Sequence, residues 1–568
     1  DMEVELKDEA AVVAVGTQKP TVITEGTVSI TFPHDKAVFY NPTQVFNRDY
    51  SLLILAAFAK RYWAKRQDYR RGDAPLRVLE ALAASGLRSL RYAREMPEEV
   101  PCHFVVNDIS PDAVAAMRTN LEDNPPKAPH SVEVSEADAI ALMYSLRTAS
   151  PEEKFDVVDL DPYGSPASFL DAAMCAVRPG GLLAVTCTDL LTLCGHQLPL
   201  CWSRYGAAPL NGEQCHEGGV RIATGALIAA AARHRMSLTV VASFFHAHYL
   251  RIFVEVTPRG PVRIAPCMVQ HGQVAKCTYC PGMWTQSMAR EFTGTSKKGN
   301  PVTKTKPAIL TLPGPLCPHC GSVIHLGGPL HMGQLYDRPL LELCLSDDIS
   351  GTAGKDCKAL AECKGHMECS LATEGFPPFF ISLSQLAKSY GATQVAKDAL
   401  ACAIVSQGFR VAPTPFVGTG IVTDAPIDRV LDIAGLWGRC MARCGHTTST
   451  KNKDNAPATL LRAKGAHLRI MPGEMKKIAK KYGVHTFDPE TVDSEGIEAE
   501  SETAESEGCP PVCFTGAVES RWFKTNRKDK DGVRQRPVVW APNPEKDWGP
   551  KRAAPVPQPK QKRADTNV

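Results

Sequence analysis

The sequence predicts an α/β protein: a mostly parallel sheet flanked by helices in its first half, then a cysteine-rich segment organised by metal, then an α+β region. Three observations carry that reading. Apolar runs of strand length alternate with helix-compatible stretches between residues 28 and 257, the rhythm of a parallel sheet with right-handed crossovers. Two Cys-x-x-Cys pairs stand in a stretch rich in Gly and Pro, the pattern of metal knuckles. A length of 568 residues exceeds one ordinary domain.

Residues 1–20 read as a loose tail. Residues 50–66 read as a helix, with Leu52, Leu53, Leu55, Ala56, Phe58, Ala59, Tyr62 and Trp63 at helical spacing. Strands are expected at 76–82, 103–107, 131–134, 155–160 and 181–186, with helices such as 87–95 and 165–177 between them. A helix at 218–233 then precedes strands 238–245 and 249–257, close enough to form a hairpin and close the sheet with an antiparallel strand. Residues 264–345 read as loops tied by metal, and 349–367 resist placement. Residues 376–485 look α+β, with helices at 383–390 and 393–407. The expected units are therefore 21–263, a metal segment 264–345 counted with the C-terminal domain, an α+β domain 346–487, an acidic disordered insert 488–520 and a basic segment 521–568. Part of that last segment is expected to pack through Arg521, Trp522, Phe523, Trp540 and Trp548. No internal repeat of solenoid period is present.

Composition narrows the function classes. With 44% hydrophobic and 22% charged residues the chain is neither collagen-like, nor wholly disordered, nor a coiled-coil rod. The net charge of +3 hides segregation: 492–507 is acidic, whereas 519–568 holds thirteen Lys/Arg against six Asp/Glu. That asymmetry suggests a basic partner surface and a solvated acidic insert. The longest uncharged stretch, 307–336, is broken by prolines and glycines, so no membrane helix is expected. Twenty cysteines without a secretion signal read as reduced thiols, some metal-bound. Asp1 precedes Met2, which leaves room for an upstream targeting peptide.

In open α/β sheets ligands bind beyond the carboxyl ends of the strands. The first strand ends in Glu80-Ala81-Leu82-Ala83-Ala84-Ser85-Gly86, small residues that let backbone approach a ligand. A G-x-G-x-x-G spacing is absent, which disfavours a dinucleotide. The second strand ends in Asn107-Asp108, an acid able to accept two ribose hydroxyls, and the third near Asp138-Ala139, able to meet an adenine amine. Taken singly, these three also fit a plain strand–helix turn or a helix cap. The fourth end, Asp159-Leu160-Asp161-Pro162-Tyr163-Gly164-Ser165-Pro166, is specific. It sets two carboxylates, a rigid turn and an aromatic where substrate meets cofactor. Together the four ends describe a class I, Rossmann-like methyltransferase domain binding S-adenosylmethionine. Asp161-Pro162-Tyr163 resembles the Asp/Asn-Pro-Pro-Tyr/Phe motif of enzymes that methylate exocyclic amines of nucleobases.

At these residues the chain closely resembles the eukaryotic tRNA (guanine-26 N2)-dimethyltransferase family. The matching segments are Phe39-Tyr40-Asn41-Pro42, Phe46-Asn47-Arg48-Asp49, Leu82 to Ser89, Asp159 to Pro166 and Val185-Thr186-Cys187-Thr188-Asp189. The two Cys pairs and Asp547-Trp548-Gly549-Pro550 match as well. The likeness is strong in the first half and patchy after Gly328. It implies methyl transfer to guanine N2 of tRNA, giving the mono- and dimethylated nucleoside. It implies Arg48 and Arg88 at the methionine end of the cofactor, Asp108 at the ribose, and Asp138 and Ala139 at the adenine. It further implies Asp161 as the catalytic carboxylate, with Phe39 and Tyr163 lining the base pocket. Asp161 and Asp159 point the same way along a strand; Asp161 is preferred as catalytic because it ends the strand before Pro162, and Asp159 is expected to lie deeper. Two rival readings are a non-catalytic tRNA-binding relative and an amine methyltransferase acting on another nucleic acid. The intact cofactor carboxylates disfavour the first.

Cys277, Cys280, Cys317 and Cys320 fit one tetrahedral structural zinc. Cys357, Cys363 and Cys369 with His366 are a weaker candidate for a second site. Cys440 and Cys444 fit one helix face and receive no role. Lys297, Lys298, Lys304 and Lys306 between the knuckles, Lys476, Lys477, Lys480 and Lys481, and Arg521, Lys524, Arg527, Lys528 and Lys530 beside Trp522 and Phe523 suit an RNA surface; each cluster alone also fits a solvated charged face. No membrane and no obligate protein partner are inferred. Lys560-Gln561-Lys562-Arg563 matches part of a nuclear localisation signal, so nucleus and mitochondrion are the expected locations.

Overall fold

The computed structural model describes residues 21–32, 40–68, 74–257, 266–296, 299–391 and 394–443, with short stretches at 468, 477–478 and 512–515. The N-terminal tail, the acidic insert and the basic tail lie outside the described residues apart from 512–515.

A hairpin of β1 (Thr21–Glu25) and β2 (Val28–Phe32) opens the chain. Asn41 then accepts a hydrogen bond from the Thr43 amide at 2.9 Å, turning the chain into the long helix α1 (Val45–Asp68). The expected alternation follows: β3 (Leu76–Glu80), α2 (Leu87–Glu95), β4 (Cys102–Asp108), α3 (Pro111–Asp123), β5 (Ser131–Glu136), α4 (Ala139–Ser145), β6 (Phe155–Leu160), α5 (Leu170–Ala176) and β7 (Val177–Cys187). Short helices α6 (Leu190–Leu193) and α7 (Leu198–Tyr205) lead to α8 (Cys215–Arg233), then β8 (Ser237–His246) and β9 (Tyr249–Thr257). The sheet order is β5-β4-β3-β6-β7-β9-β8. The pairings β3–β4, β3–β6, β4–β5 and β6–β7 are parallel, while β9 runs antiparallel to both β7 and β8.

Strand periodicity of two sends alternate side chains to two separate cores. Leu79, Val158, Leu183, Val185 and Ile252 join α4, α5 and α8 on one face. Val78, Val157, Leu182, Ala184 and Phe253 join α1, α2 and α3 on the other. One element departs from the expected pattern. The helix expected over 165–177 starts only at Leu170, and Val177 already belongs to β7. A register shift opposite Phe155 and Val157 accommodates Pro179 and the glycines at this end, and Arg178 pairs with Asp156 at 2.8 Å.

Residues 264–345 differ more. Instead of loops they hold β10 (His271–Cys277), β11 (Met283–Ser287), β12 (Ala289–Thr295), β13 (Pro301–Pro307) and β14 (Ile324–His331). These form a three-stranded antiparallel sheet, β11-β10-β14, and a separate β12–β13 hairpin. The Gly and Pro content that reads as loop lies partly inside the ladders: a side chain at Gly272 would collide with the Gln286 carbonyl opposite. β14 lies against α8.

The segment that resists placement covers α1. Helices Arg338–Leu345, Asp347–Ser350 and Leu360–Leu371 bury Leu340, Leu341, Ile349 and Met367 in the α1 core. A buried charge cluster seals this junction. Arg91 Nη1 donates to Glu25 at 2.8 Å and Asp49 at 2.6 Å, and its Nη2 to Glu95 at 2.9 Å. Asp49 also accepts the Ala359 amide at 2.8 Å, across 310 positions of sequence. Beyond it, strands Ile381–Ser382, Val411–Pro413 and Gly420–Thr423 pair in one small sheet with helices Leu383–Tyr390, Lys397–Ser406 and Ile427–Arg443. Among the described residues no helix is long and apolar enough to cross a membrane.

Candidate active site

The parallel strands deliver their carboxyl ends to one edge. β3 ends in buried Glu80, which accepts the Ser89 amide at 3.1 Å and hydroxyl at 2.5 Å. The loop after it turns through Ala84 (φ 49°) and Gly86 (φ 73°). At Gly86 a side chain would be strained by that φ and would press on Met117. Asn107 stitches the neighbouring ends together, donating to the Ala81 carbonyl at 3.0 Å and the Ala137 carbonyl at 2.9 Å. Asp108 accepts the Ala84 amide on Oδ2 and the Ser110 amide on Oδ1, both at 2.9 Å. Asp138 caps α4, accepting the Ala141 amide at 2.8 Å, and stays exposed beside buried Ala139.

Asp159 and Asp161 follow on β6 and its end. The Asp159 side chain is 4% exposed and that of Asp161 21%. Asp159 is held by Arg251 Nη2 at 2.7 Å and lies 4.0 Å from Arg88. Burial alone would raise its pKa; Arg251 and Arg88 outweigh that and hold it below the ordinary carboxylate value. Asp161 pairs with Arg88 through Oδ2. Arg88 also donates to Ser51 at 3.2 Å and Asn47 at 3.4 Å, and lies 3.5 Å from Glu80. One buried arginine thus serves three carboxylates. Burial pushes Glu80 up to about 7, and nearby Asp159 and Asp161 add to that push while Arg88 opposes it. The Tyr163 side chain, 73% exposed, stands at the mouth. The loop after it is zipped to the end of β7: the Gly164 amide donates to the Thr188 hydroxyl at 2.7 Å and the Thr188 amide to the Gly164 carbonyl at 2.9 Å.

Arg48 is anchored to the N-terminal hairpin. Its guanidinium makes two 2.6 Å bonds to Glu25 and covers the Tyr40 ring at 5.3 Å. Asp49, its neighbour, pairs with Arg91 instead. Phe39 lies outside the described residues. Three site residues escape sequence reasoning: Arg251, Tyr249 and Asn47. The Tyr249 hydroxyl is fully buried and has no hydrogen-bond partner among the described residues. Burial and then the Asp161 charge push its pKa well above the ordinary tyrosine value.

A second constellation lies away from this edge. Cys277, Cys280, Cys317 and Cys320 are buried, and their sulfurs all lie within 4.8 Å of one another. The Cys277–Cys320 and Cys280–Cys317 separations are 3.5 and 3.6 Å, against about 3.8 Å for tetrahedral ligands at a Zn–S distance of ~2.3 Å. Cys277 Sγ accepts the amides of Tyr279 at 3.3 Å and Cys280 at 3.4 Å. The four share a core with the helix Leu383–Tyr390 and the C-terminal helix. Among the described residues Cys357, Cys363, Cys369 and His366 form no such cluster; they are buried on or beside the helix Leu360–Leu371. A smaller group, Cys194, Cys215 and His216, meets at the start of α8.

The basic clusters are only partly in view. Lys304 and Lys306 are exposed on β13, with Lys306 over the Phe292 ring at 4.5 Å, and Lys477 is exposed. Lys297, Lys298, Lys476, Lys480, Lys481 and the residues of the basic tail lie outside the described residues, as does Cys444.

The sequence model of the family described as N2,N2-dimethylguanosine tRNA methyltransferase matches residues 17–435. The tRNA (guanine(26)-N(2))-dimethyltransferase of Mus musculus is 33% identical over 461 residues, covering 73% of this chain and 67% of that protein. The mitochondrial tRNA (guanine(26)-N(2))-dimethyltransferase of Saccharomyces cerevisiae is 28% identical over 506 residues, 81% of this chain and 84% of that one. A solved complex of Trm1 from Pyrococcus horikoshii with S-adenosyl-L-methionine superposes with a TM-score of 0.56 at 26% identity, over 72% of this chain and 99% of that one. By the extent of that match, the chain belongs to the N2,N2-dimethylguanosine tRNA methyltransferase family.

Proposed function

We propose that the chain transfers methyl groups from S-adenosylmethionine to the exocyclic N2 of guanine 26 in tRNA, giving N2-methyl- and then N2,N2-dimethylguanosine. The observation that carries this reading is Asp161 at the open end of a central strand, oriented by Arg88 through one oxygen, directly before Pro162 and exposed Tyr163.

The strand ends suit the cofactor. Asp108 has both oxygens fixed by backbone amides and faces the same edge, so its remaining lone pairs are positioned for a ribose diol. Ile109 beside it is exposed, an apolar surface for a purine face. Asp138, capping the helix that starts at Ala139, would with Ala139 hold the adenine. The buried Tyr249 hydroxyl, without a hydrogen-bond partner among the described residues, lies close enough to Asp161 to feel its charge. When bound, the cofactor supplies an electrophilic methyl group on a sulfonium.

Guanine N2 is a poor nucleophile because its lone pair is delocalised into the ring. Arg88 engages Asp161 Oδ2, so Oδ1 is the atom offered to the amine. Asp161 accepts the N2–H hydrogen bond and takes the proton as the nitrogen turns tetrahedral, when the amine has become acidic enough for a carboxylate. Tyr163, and Phe39 from the preceding segment, give ring faces to a guanine drawn from its stack. Arg48 would serve the methionine end of the cofactor with Arg88, its guanidinium steadied by the pair with Glu25 and the bond to the Asn41 carbonyl at 3.3 Å. Most of the rate gain comes from alignment of nitrogen, methyl carbon and sulfur.

Cys277, Cys280, Cys317 and Cys320 hold one structural zinc in this reading, four thiolates with no open position for chemistry. That zinc organises the segment 264–345 onto the α+β domain 346–487, which with Lys304 and Lys306 offers a surface for the tRNA body. The catalytic unit is 21–263. Nucleus, mitochondrion or both are the proposed locations, and imaging of a tagged chain decides among them. The activity is tested by nucleoside mass spectrometry of tRNA incubated with the protein and labelled cofactor. Label in mono- and dimethylguanosine is expected, and a guanine-26 substitution should abolish it. Label in another base, or none, rejects the reading.

A further inference from the structure

Helix α7 is short, yet only Cys201 and Tyr205 of its eight residues are buried. Of the other six, Leu198, Pro199, Leu200 and Trp202 are apolar and exposed where solvent-facing helices are usually charged, and only Ser203 and Arg204 are polar. Trp202 is 70% exposed, Leu198 55% and Leu200 40%, and Leu191 of α6 is 64% exposed. The helix that carries this patch is bonded to the candidate catalytic loop. Tyr205 of α7 joins the Ser165 hydroxyl at 2.8 Å, four residues beyond Asp161, and donates to Asp189 at 2.8 Å. Arg204 donates to the same Asp189 at 3.0 Å. α7 is therefore fastened to the loop that carries Asp161 and Tyr163, at the carboxyl edge of the sheet, with its apolar side turned outward.

We infer that Trp202 stacks on a nucleobase adjoining the methylated guanine, with Leu191 and Leu198 packing against its edge, so that α7 is the wall of the cleft that receives the tRNA strand. This deepens the proposed function and rests on it. A base taken out of its stack leaves its neighbours with uncovered faces. An indole presented outward offers such a face a partner, and stacking is tolerant of which base is present. Another exposed aromatic, Tyr163, lies two residues before Ser165 on the loop to which the helix is fastened.

The test reads tRNA affinity by filter retention with the full chain, not turnover. Trp202→Ala is expected to weaken tRNA binding by roughly 5- to 150-fold, the scale of losing one stacked base. S-adenosylmethionine affinity by calorimetry and the melting temperature are expected to stay at wild-type values, since the indole is mostly in water. Trp202→Phe, which keeps an aromatic face, restores most of the affinity, and Leu191→Ala gives a smaller loss. Trp202→Ala binding tRNA within about twofold of wild type overturns the inference, as does equal loss in the Phe and Ala variants. Sedimentation of a wild-type dimer that Trp202→Ala dissolves also overturns it, because the patch then belongs to a second copy. A wild-type chain that binds tRNA through Trp202 yet methylates no guanine sinks the functional reading and leaves this surface standing.

Discussion

Asp161→Asn and Asp159→Asn are two residues apart and are expected to fail in opposite ways. In Asp161→Asn the carboxylate that takes the N2 proton becomes an amide. Arg88 keeps Glu80 at 3.5 Å and Asp159 at 4.0 Å, so the buried cation is still compensated. Stability therefore changes little, while methyl transfer falls by about 100-fold or more, within the range for losing a proton acceptor. In Asp159→Asn the loss falls on Arg251, which is fully buried and whose only close carboxylate among the described residues is Asp159 at 2.7 Å. Removing one partner of a buried pair costs about 3–5 kcal/mol. At about 2–4 °C per kcal/mol for a domain of this size, the melting temperature drops by roughly 6–20 °C. The assay pairs single-turnover methylation, with tRNA and cofactor saturating, with thermal melts of both variants. The single-turnover rate constant, read apart from the amplitude that reports the folded fraction, separates a slow enzyme from a partly unfolded one. If Asp159→Asn melts with wild type yet is inactive, and Asp161→Asn turns over normally, the two roles must be exchanged and the proposed proton path is wrong.

Asp108→Ala is expected to weaken S-adenosylmethionine binding about tenfold or more, the scale of one charge-assisted hydrogen bond; unchanged affinity by calorimetry in a folded variant rejects the ribose assignment. The purified protein is expected to carry about one zinc per chain, lost in the Cys317→Ser, Cys320→Ser double variant, and full metal content in that variant by elemental analysis places the ligands elsewhere. Glu80 makes stability depend on pH. Its folded pKa of about 7 lies above the ordinary 4.5, so the folded state holds this proton more tightly than the unfolded one. The associated stability is full below about 4.5 and is lost as pH rises through about 7, some 3 kcal/mol in total. Glu80→Gln is neutral throughout, so its melting temperature relative to wild type should rise between about pH 5 and pH 8; a constant difference refutes the assignment.

The sheet was legible because its strands are apolar runs whose ends carry the chemistry. All five parallel strands and the closing β8–β9 pair lie within a few residues of the expected bounds, and the relative depth of Asp159 and Asp161 follows from their order before Pro162. What partners those acids was not legible. Arg251 reaches Asp159 across 92 positions and Glu25 reaches Arg48 across 23, pairings that only the folded topology creates. The tie of Arg48 to the hairpin is such a pairing, since the hairpin's sequence carries no signal of a partner. The ladders in 264–345 were hidden for another reason: Gly272, Gly327 and Pro329 sit inside or beside strands, where close backbone approach replaces side-chain packing. Cys363 and His366 suggested metal because residue type is visible and burial in an apolar core is not.

The covering of α1 by residues 338–371 has a consequence for synthesis. The ribosome releases the last strand of the catalytic sheet, β9, some eighty residues before the helix that shields the outer side of α1 has begun to emerge. Until then Leu53, the Asp49 carboxylate and the face of α1 around them lack their lids. A nascent sheet can pair its strands but cannot close over, and it presents an oily stripe to whatever waits at the tunnel exit. Truncation after residue 263 should freeze the chain in that open condition, so a soluble catalytic fragment needs the helices to Leu371 and not merely the last strand.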